Sequence, residues 1–222
     1  PGMRHRDTRN GMLSNALKAK LGKAWQLGTR PGWIWDVGVN GKPHSFGSLA
    51  HLVPDPTDLA AYRVWIDKQF DTTVTWKDIE WLRGIWKGRL LLKGIQEVED
   101  AQGAVEVGAD GLIVSNHGAR QLDSVASSIS KLPAIADAVG DKLEVLMDGG
   151  VRSGLDVYKA VALGARAVMI GRPWVWAMAG GGEQGLGDLL ATFKRELEVA
   201  MALSGVTRIA DIKRSNIDAM PW

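Results

Sequence analysis

Gly111-Leu-Ile-Val-Ser-Asn-His117-Gly-Ala-Arg120-Gln-Leu-Asp123 is the stretch whose reading decides the fold of this chain. Leu112, Ile113 and Val114 form the aliphatic, β-branched run of a strand covered on both faces, as the strands of a parallel sheet are. Asn116-His117-Gly118 is turn chemistry at the carboxyl end of that strand, and it exposes whatever follows. His117 can take up a proton near neutral pH, and the planar fork of Arg120 suits a carboxylate. The pair therefore fits an acid substrate that loses a proton. By themselves, a histidine and an arginine in a loop are more often solvated surface than machinery, so the surrounding sequence has to decide.

Two further apolar runs follow. Leu143-Glu-Val-Leu-Met147 ends in Asp148-Gly149-Gly150-Val-Arg152, and Ala167-Val-Met-Ile170 ends in Gly171-Arg172-Pro173. Glycines at strand ends free backbone amides to face an anion, and an arginine beside each set adds charge, which together make a phosphate cradle. Either glycine set alone is explained as well by a tight turn. Upstream, Arg89-Leu-Leu-Leu-Lys93-Gly94-Ile95 is an apolar strand with one lysine near its end, a costly placement without a partner or a purpose. Glu97–Val107, Ser128–Val139 and Ser153–Gly164 carry the helical periodicity of crossovers, Gly164 supplying a stop. Strand, loop and helix thus alternate, which predicts an α/β fold with a parallel sheet. The strands number four: Arg89–Ile95, Gly111–Ser115, Leu143–Asp148 and Ala167–Gly171. A closed (β/α)8 barrel needs eight.

Of 222 residues, 45% are hydrophobic and 23% charged, with a formal charge of +2, which describes an ordinary globular protein and gives no reason to expect nucleic acid. The absence of cysteine excludes disulfides and thiolate metal sites, and no metal centre is expected. No apolar run approaches the roughly 20 residues that span a bilayer. Residues 10–56 form a long insertion before the next strand. There Lys18, Lys20 and Lys23 share a predicted helix with Leu13, Leu17, Leu21 and Trp25, and Trp33, Ile34 and Trp35 follow. Lysine with tryptophan suits an anionic membrane surface; packing of the same indoles on the barrel or on a neighbouring subunit is the competing reading. Thr75 and Asp78 predict a capped helix to Trp86, with Trp76, Ile79, Leu82 and Trp86 as its core face. Beyond Arg172, a Gly180-Gly-Gly-Glu hinge leads to a long amphipathic helix over Gly187–Gly205. Lys213 and Arg214 read as solvated charges.

Ser-Asn-His117-Gly-Ala-Arg120-Gln-Leu-Asp, Asp148-Gly-Gly-Val-Arg152-Ser-Gly-Leu-Asp156 and Ala-Leu-Gly164-Ala-Arg-Ala-Val-Met-Ile-Gly171-Arg172 together resemble the FMN-dependent L-2-hydroxy acid dehydrogenases and oxidases. Trp33-Ile-Trp-Asp-Val-Gly-Val-Asn-Gly and Val74-Thr-Trp-Lys-Asp-Ile-Glu-Trp81 are most similar to the bacterial respiratory branch that oxidises L-lactate. Ala119 departs from that branch, which usually has glycine there, and matches the oxidases. The resemblance implies the carboxyl-terminal half of a TIM barrel, strands five to eight over 89–205, preceded by an insertion after strand four, so that 1–222 is a partial domain. Since the chain opens on Pro1, the first four strands are expected from a lost segment or a separate chain.

The same resemblance implies FMN as cofactor, His117 as the residue that takes a substrate proton, and Arg120 and Arg4 as carboxylate ligands. Lys93, Ser115, Asp148, Gly149, Gly150, Arg152, Gly171 and Arg172 are implied as cofactor ligands, Lys93 beside the pyrimidine edge of the flavin. It further implies L-lactate or another small 2-hydroxy acid as substrate, glycolate and mandelate being the alternatives within the family. Electrons would pass to a quinone or cytochrome, through hydride or carbanion chemistry. The protein would be a homo-oligomer held peripherally on the cytoplasmic face of the cell membrane by the insertion. Two other readings stay open: a phosphate-binding barrel of the inosinate type, which shares Asp-Gly-Gly but lacks the spacing of His117 and Arg120, and a non-catalytic half-barrel that only binds a partner.

Overall fold

A computed structural model describes residues 16–217 except 43, 46, 54, 56 and 123, and divides into two units, Pro1–Val74 and Thr75–Trp222. The first unit is helical where it is described. Helix α1 (Leu17–Gly28) is followed by a helical turn at Pro31–Trp33, a wider turn over Ile34–Val39, a 3-10 segment at Gly47–Leu52 and helix α2 (Leu59–Gln69). The insertion is thus a set of short helices rather than one long loop. Leu17, Leu21 and Trp25, spaced at one helical face of α1, are all exposed.

The second unit is built on alternating strands and helices. Helix α3 (Trp76–Ile85) leads to β1 (Leu91–Ile95), α4 (Val98–Glu106), β2 (Gly111–Val114), α5 (Ser128–Val139), β3 (Glu144–Asp148), α6 (Gly154–Ala162), β4 (Ala167–Met169) and α7 (Arg172–Leu203). The four strands form one parallel sheet in chain order, β1-β2-β3-β4, and each pairs only with its neighbour in sequence among the described residues. The expected α/β fold and all four strands are therefore present.

Register sorts the strand residues into two faces. Leu92, Leu112 and Val145 align across the sheet, as do Ile95, Val114, Met147 and Val168. These two rows pack on Ala101, Ala104, Leu132 and Ile135 from the helices to make the core. Leu112 and Leu132 are wholly buried and Ile135 nearly so; burial of side chains this size stabilises by about 1.5–3 kcal/mol each. The opposite face carries Leu91, Gly111 and Glu144, then Lys93, Ile113, Leu146 and Ala167, then Asp148 and Met169. In β1 the register slips between Lys93 and Ile95, where Gly94 bulges out with φ 103°. The bulge turns Ile95 into the core and leaves Lys93 on the other face, a separation that unbroken alternation would forbid.

Helix ends follow local chemistry. Thr75 N–H and O–H both donate to the Asp78 carboxylate, at 2.6 and 2.7 Å, as the capping motif predicts. Ser153 Oγ accepts the Asp156 N–H at 3.1 Å, while Asp156 accepts the Arg152 N–H at 2.9 Å, a reciprocal cap that fixes the loop before α6. Gly164, with φ 108°, ends that segment.

Three expectations need correction. Trp86 is not core: α3 stops at Ile85, Trp86 turns into extended backbone and is 53% exposed, its indole N–H donating to the Arg89 carbonyl. Trp76 does pack, its ring lying against Gly103 of α4. Helical structure starts at Arg172 rather than Gly187, because Pro173 suits a first helical turn, and α7 is two helical segments that meet at a kink at Gly182 (φ 58°, ψ -144°), inside the expected Gly180–Glu183 hinge. Arg214 is not merely solvated, since its guanidinium holds both oxygens of Asp137 on α5 at 2.8 and 3.0 Å.

Candidate active site

The carboxyl ends of the four strands open into a cleft of about 430 Å³. Its lining includes Lys93 from the end of β1, the Asn116–Arg120 loop after β2, Asp148–Arg152 after β3, and Met169, Gly171, Arg172 and Pro173 after β4. Ligands in parallel α/β folds bind at this end, because there the loops converge and helix N-termini present free amides. His117 and Arg120, three residues apart in sequence, line the same cleft as the two glycine–arginine sets. Arg4 lies outside the described residues.

Three side chains tie the strand ends together. Lys93 Nζ stands 2.7 Å from Ser115 Oγ and 2.7 Å from Asp148 Oδ2. Ser115 donates in turn to Asp148 Oδ1 and accepts the His117 N–H at 3.1 Å. This explains how β1 tolerates its lysine, since the ammonium is paired with a carboxylate two strands away. Ser115 is buried and reaches the cleft only through these partners. Lys93 and Asp148 are members of the lining itself.

Part of the lining is backbone rather than side chain. Gly149 and Gly150 hold φ values of 90° and 82°, a region L side chains seldom enter. A Cβ on Gly149 would stand 2.9 Å from Asn116 Oδ1 and 3.0 Å from Ser128 Oγ. Gly171 precedes the first turn of α7, and Arg172 Nη2 reaches back 2.5 Å to accept no proton but to donate one to the Gly118 carbonyl. Lys93, Arg120, Arg152 and Arg172 bring four cations to the lining against the carboxylate of Asp148. The cleft therefore favours an anionic ligand, and its glycine turns suit a phosphate approached by backbone.

A family model for FMN-dependent dehydrogenases matches residues 1–219. The chain belongs to the FMN-dependent dehydrogenase family. Among curated members, it is 50% identical over 216 residues to an L-lactate dehydrogenase of Caulobacter sp. (strain K31), covering 97% of this chain and 56% of the relative. It is 47% identical over 222 residues to an L-lactate dehydrogenase of Stenotrophomonas maltophilia (strain K279a), covering 100% of this chain and 58% of the relative. This family member thus spans little more than half the length of the curated relatives it matches. Among solved structures, a mandelate oxidase with (S)-2-phenylpropionate superposes with a TM-score of 0.61 at 47% identity, covering 64% of this chain and 42% of that one. A mandelate oxidase variant with a monooxide FMN adduct gives the same score and identity, over 64% and 45%.

Asn116 and Ser128 are two of the lining residues to which sequence reasoning gave no site role. Asn116 was legible only as generic turn chemistry, and Ser128 only as the start of a crossover helix. Nothing in spacing alone says that the two would meet.

Proposed function

We propose that this chain supplies the cofactor-phosphate and acid-binding side of an FMN-dependent oxidoreductase. That enzyme converts an L-2-hydroxy acid, foremost L-lactate, into the 2-oxo acid, which for lactate is pyruvate. The observation that carries the reading is the gathering of one base, four cations and two glycine turns around a single cleft at the strand ends. Its residues fit the flavin nucleotide: Gly149, Gly150 and Gly171 leave backbone open to a phosphate, Arg152 and Arg172 add charge, and Asp148 can accept from ribityl hydroxyls. When bound, FMN supplies a two-electron acceptor for the substrate carbon.

The chain's own residues do the rest. Arg120 holds the substrate carboxylate and so fixes which hydrogen-bearing groups face the imidazole. His117 removes a proton from the substrate, the role its side chain suits near neutral pH. Lys93, held by Ser115 and Asp148, keeps a positive charge at the β1 end of the cleft, where anionic character would be stabilised. In the complete, FMN-loaded protein, His117→Gln should lower kcat by about 10²-fold or more while flavin stays bound. Near-native turnover would overturn the assignment.

A second substrate reading draws on the solved structures, which are mandelate oxidases at 47% identity. The ratio of kcat/KM for L-lactate to that for (S)-mandelate, measured with a dye and with oxygen as acceptor, separates the two. A quinone or cytochrome is the acceptor we propose, in line with the lactate-oxidising branch.

The four strands are proposed as strands five to eight of a (β/α)8 barrel, because one face of the sheet leaves Leu91 and Met169 exposed. Association with an anionic membrane surface, on its cytoplasmic side, is proposed from α1, which combines exposed Leu17, Leu21 and Trp25 with Lys18, Lys20 and Lys23. Among the described residues no helix is long and apolar enough to cross a membrane. Cosedimentation with phosphatidylglycerol vesicles, lost on Trp25→Ser, would test it.

A further inference from the structure

We infer that Asn116 is a positioning residue that sets where His117 and Arg120 point, an inference that rests on the functional reading above. The chain at 117–119 is unusual: His117, Gly118 and Ala119 have φ of 55°, 65° and 55°, so three consecutive residues are left-handed and two of them are not glycine. Such conformations cost of order 1 kcal/mol or more per non-glycine residue and persist only where surroundings over-determine them. The surroundings here are largely one side chain. Asn116 Oδ1 accepts the Gly118 N–H at 2.9 Å and the Ala119 N–H at 3.3 Å. Its backbone carbonyl accepts the Ala119 N–H as well, at 3.0 Å.

The other end of Asn116 is anchored. Its Nδ2 donates to the Ala126 carbonyl at 3.2 Å, and its N–H donates to Ser128 Oγ at 3.1 Å. Ser128 is buried, so this anchor is not shared with solvent. Gln96 Nε2 donates to the same Ala126 carbonyl at 3.2 Å, which ties the loop after β1 to the same point. Every polar group of Asn116 is therefore used, two for holding the anchor and two for bending the turn. The amide accepts from the turn through Oδ1 and donates to the anchor through Nδ2, whereas an ionised carboxylate can only accept and a hydroxyl has a single oxygen for both. His117 then leaves the turn with its backbone fixed on both sides, by Asn116 and by Ser115 Oγ, and Arg120 follows one residue after the bend.

The test uses the complete protein loaded with FMN. Asn116→Ala removes both functions; Asn116→Asp keeps the acceptor for the Gly118 and Ala119 amides and loses the donor to Ala126. In Asn116→Ala, kcat should fall and KM for L-lactate should rise, together lowering kcat/KM by about 10²-fold, the scale of a misplacement near 1 Å. Flavin occupancy should be unchanged. Hydrogen exchange of 117–120 should quicken while that of the strands does not. Asn116→Asp, which keeps the bonds that bend the turn and loses the anchor, should recover part of both effects. The proposal is overturned if loop exchange in Asn116→Ala matches the parent, if Asn116→Asp is as impaired as Asn116→Ala, or if exchange quickens equally through all four strands, which would be a folding role. A parent protein that oxidises no 2-hydroxy acid defeats the functional reading instead, and the exchange arm then decides this proposal alone.

Discussion

Gly149 shows at the scale of one residue how the site is built from what is missing. With φ at 90° and neighbours 2.9 and 3.0 Å from any added Cβ, it can carry no side chain without moving Asn116 or Ser128. Gly149→Ala should therefore cost about 1–2 kcal/mol in conformation alone and weaken FMN binding by displacing the backbone proposed to face the phosphate. Urea denaturation and a flavin titration on the same preparation check both halves. Arg152→Ala and Arg172→Ala should weaken FMN retention without unfolding the chain, since each removes charge from the proposed phosphate end of the cleft. Arg172→Ala should in addition loosen Gly118, whose carbonyl it holds. Full flavin occupancy in both variants would move the cradle elsewhere. Residues whose chemistry is rare at their location were legible from sequence: a lysine near the end of an apolar strand, a histidine three positions before an arginine. Asn116 and Ser128 were not, because asparagine in a turn and serine at a helix start are commonplace. Only their meeting across twelve residues gives them meaning.

At the scale of elements, α6 and α7 are packed so closely that one glycine decides the fit. A Cβ on Gly154 would meet the Phe193 carbonyl oxygen at 2.1 Å and the Leu197 nitrogen at 2.5 Å, while the Gly154 N–H donates to Glu196 Oε2 at 2.7 Å. Gly154→Ala should destabilise by about 1–3 kcal/mol or more through overpacking, read as a lowered denaturation midpoint. A midpoint within error of the parent would show that the helices can part. The Asp137–Arg214 pair fastens α5 to the terminal segment, and hydrogen bonds from Arg214 hold the Asp137 carboxyl below its ordinary value of 3.8. A depressed carboxyl contributes stability above the unfolded value that is lost as pH falls through the folded one. Asp137→Asn should thus lower stability near neutral pH and cease to matter in acid. Both groups are largely exposed, so the effect is about 1 kcal/mol or less. Denaturation at about pH 6 and about pH 2.5 compares them. Periodicity located every crossover helix, yet it misplaced Trp86 and the start of α7. A pattern of apolar spacing does not register where hydrogen bonding stops, and the glycine run marked the kink at Gly182 without revealing that the chain before it, from Arg172, is already helical.

For the whole molecule, motif spacing made the α/β class and the four strands legible, while the faces of the sheet became visible only with register. The bulge at Gly94 is the reason, since it breaks the alternation that would otherwise assign Ile95 to the side of Lys93. With one face covered by its own helices and the other carrying exposed Leu91 and Met169, residues 1–222 expressed alone and supplied with FMN, L-lactate and a dye should show no turnover. Turnover should follow addition of a separately made chain carrying the remaining strands of the barrel; activity beforehand would refute the half-barrel proposal. Strand order equal to chain order has a consequence of its own. In the sheet, among the described residues, each strand pairs only with the next in sequence, so its backbone ladder opens from the two edge strands inward. β2 is buried at every position, while β1 and β4 are largely exposed. Amide exchange should be slowest in β2 and β3 and fastest in β1 and β4. The His117 loop and the Asp148–Arg152 turn would then stand on the last strands to open, and Lys93 and Arg172 beside the first.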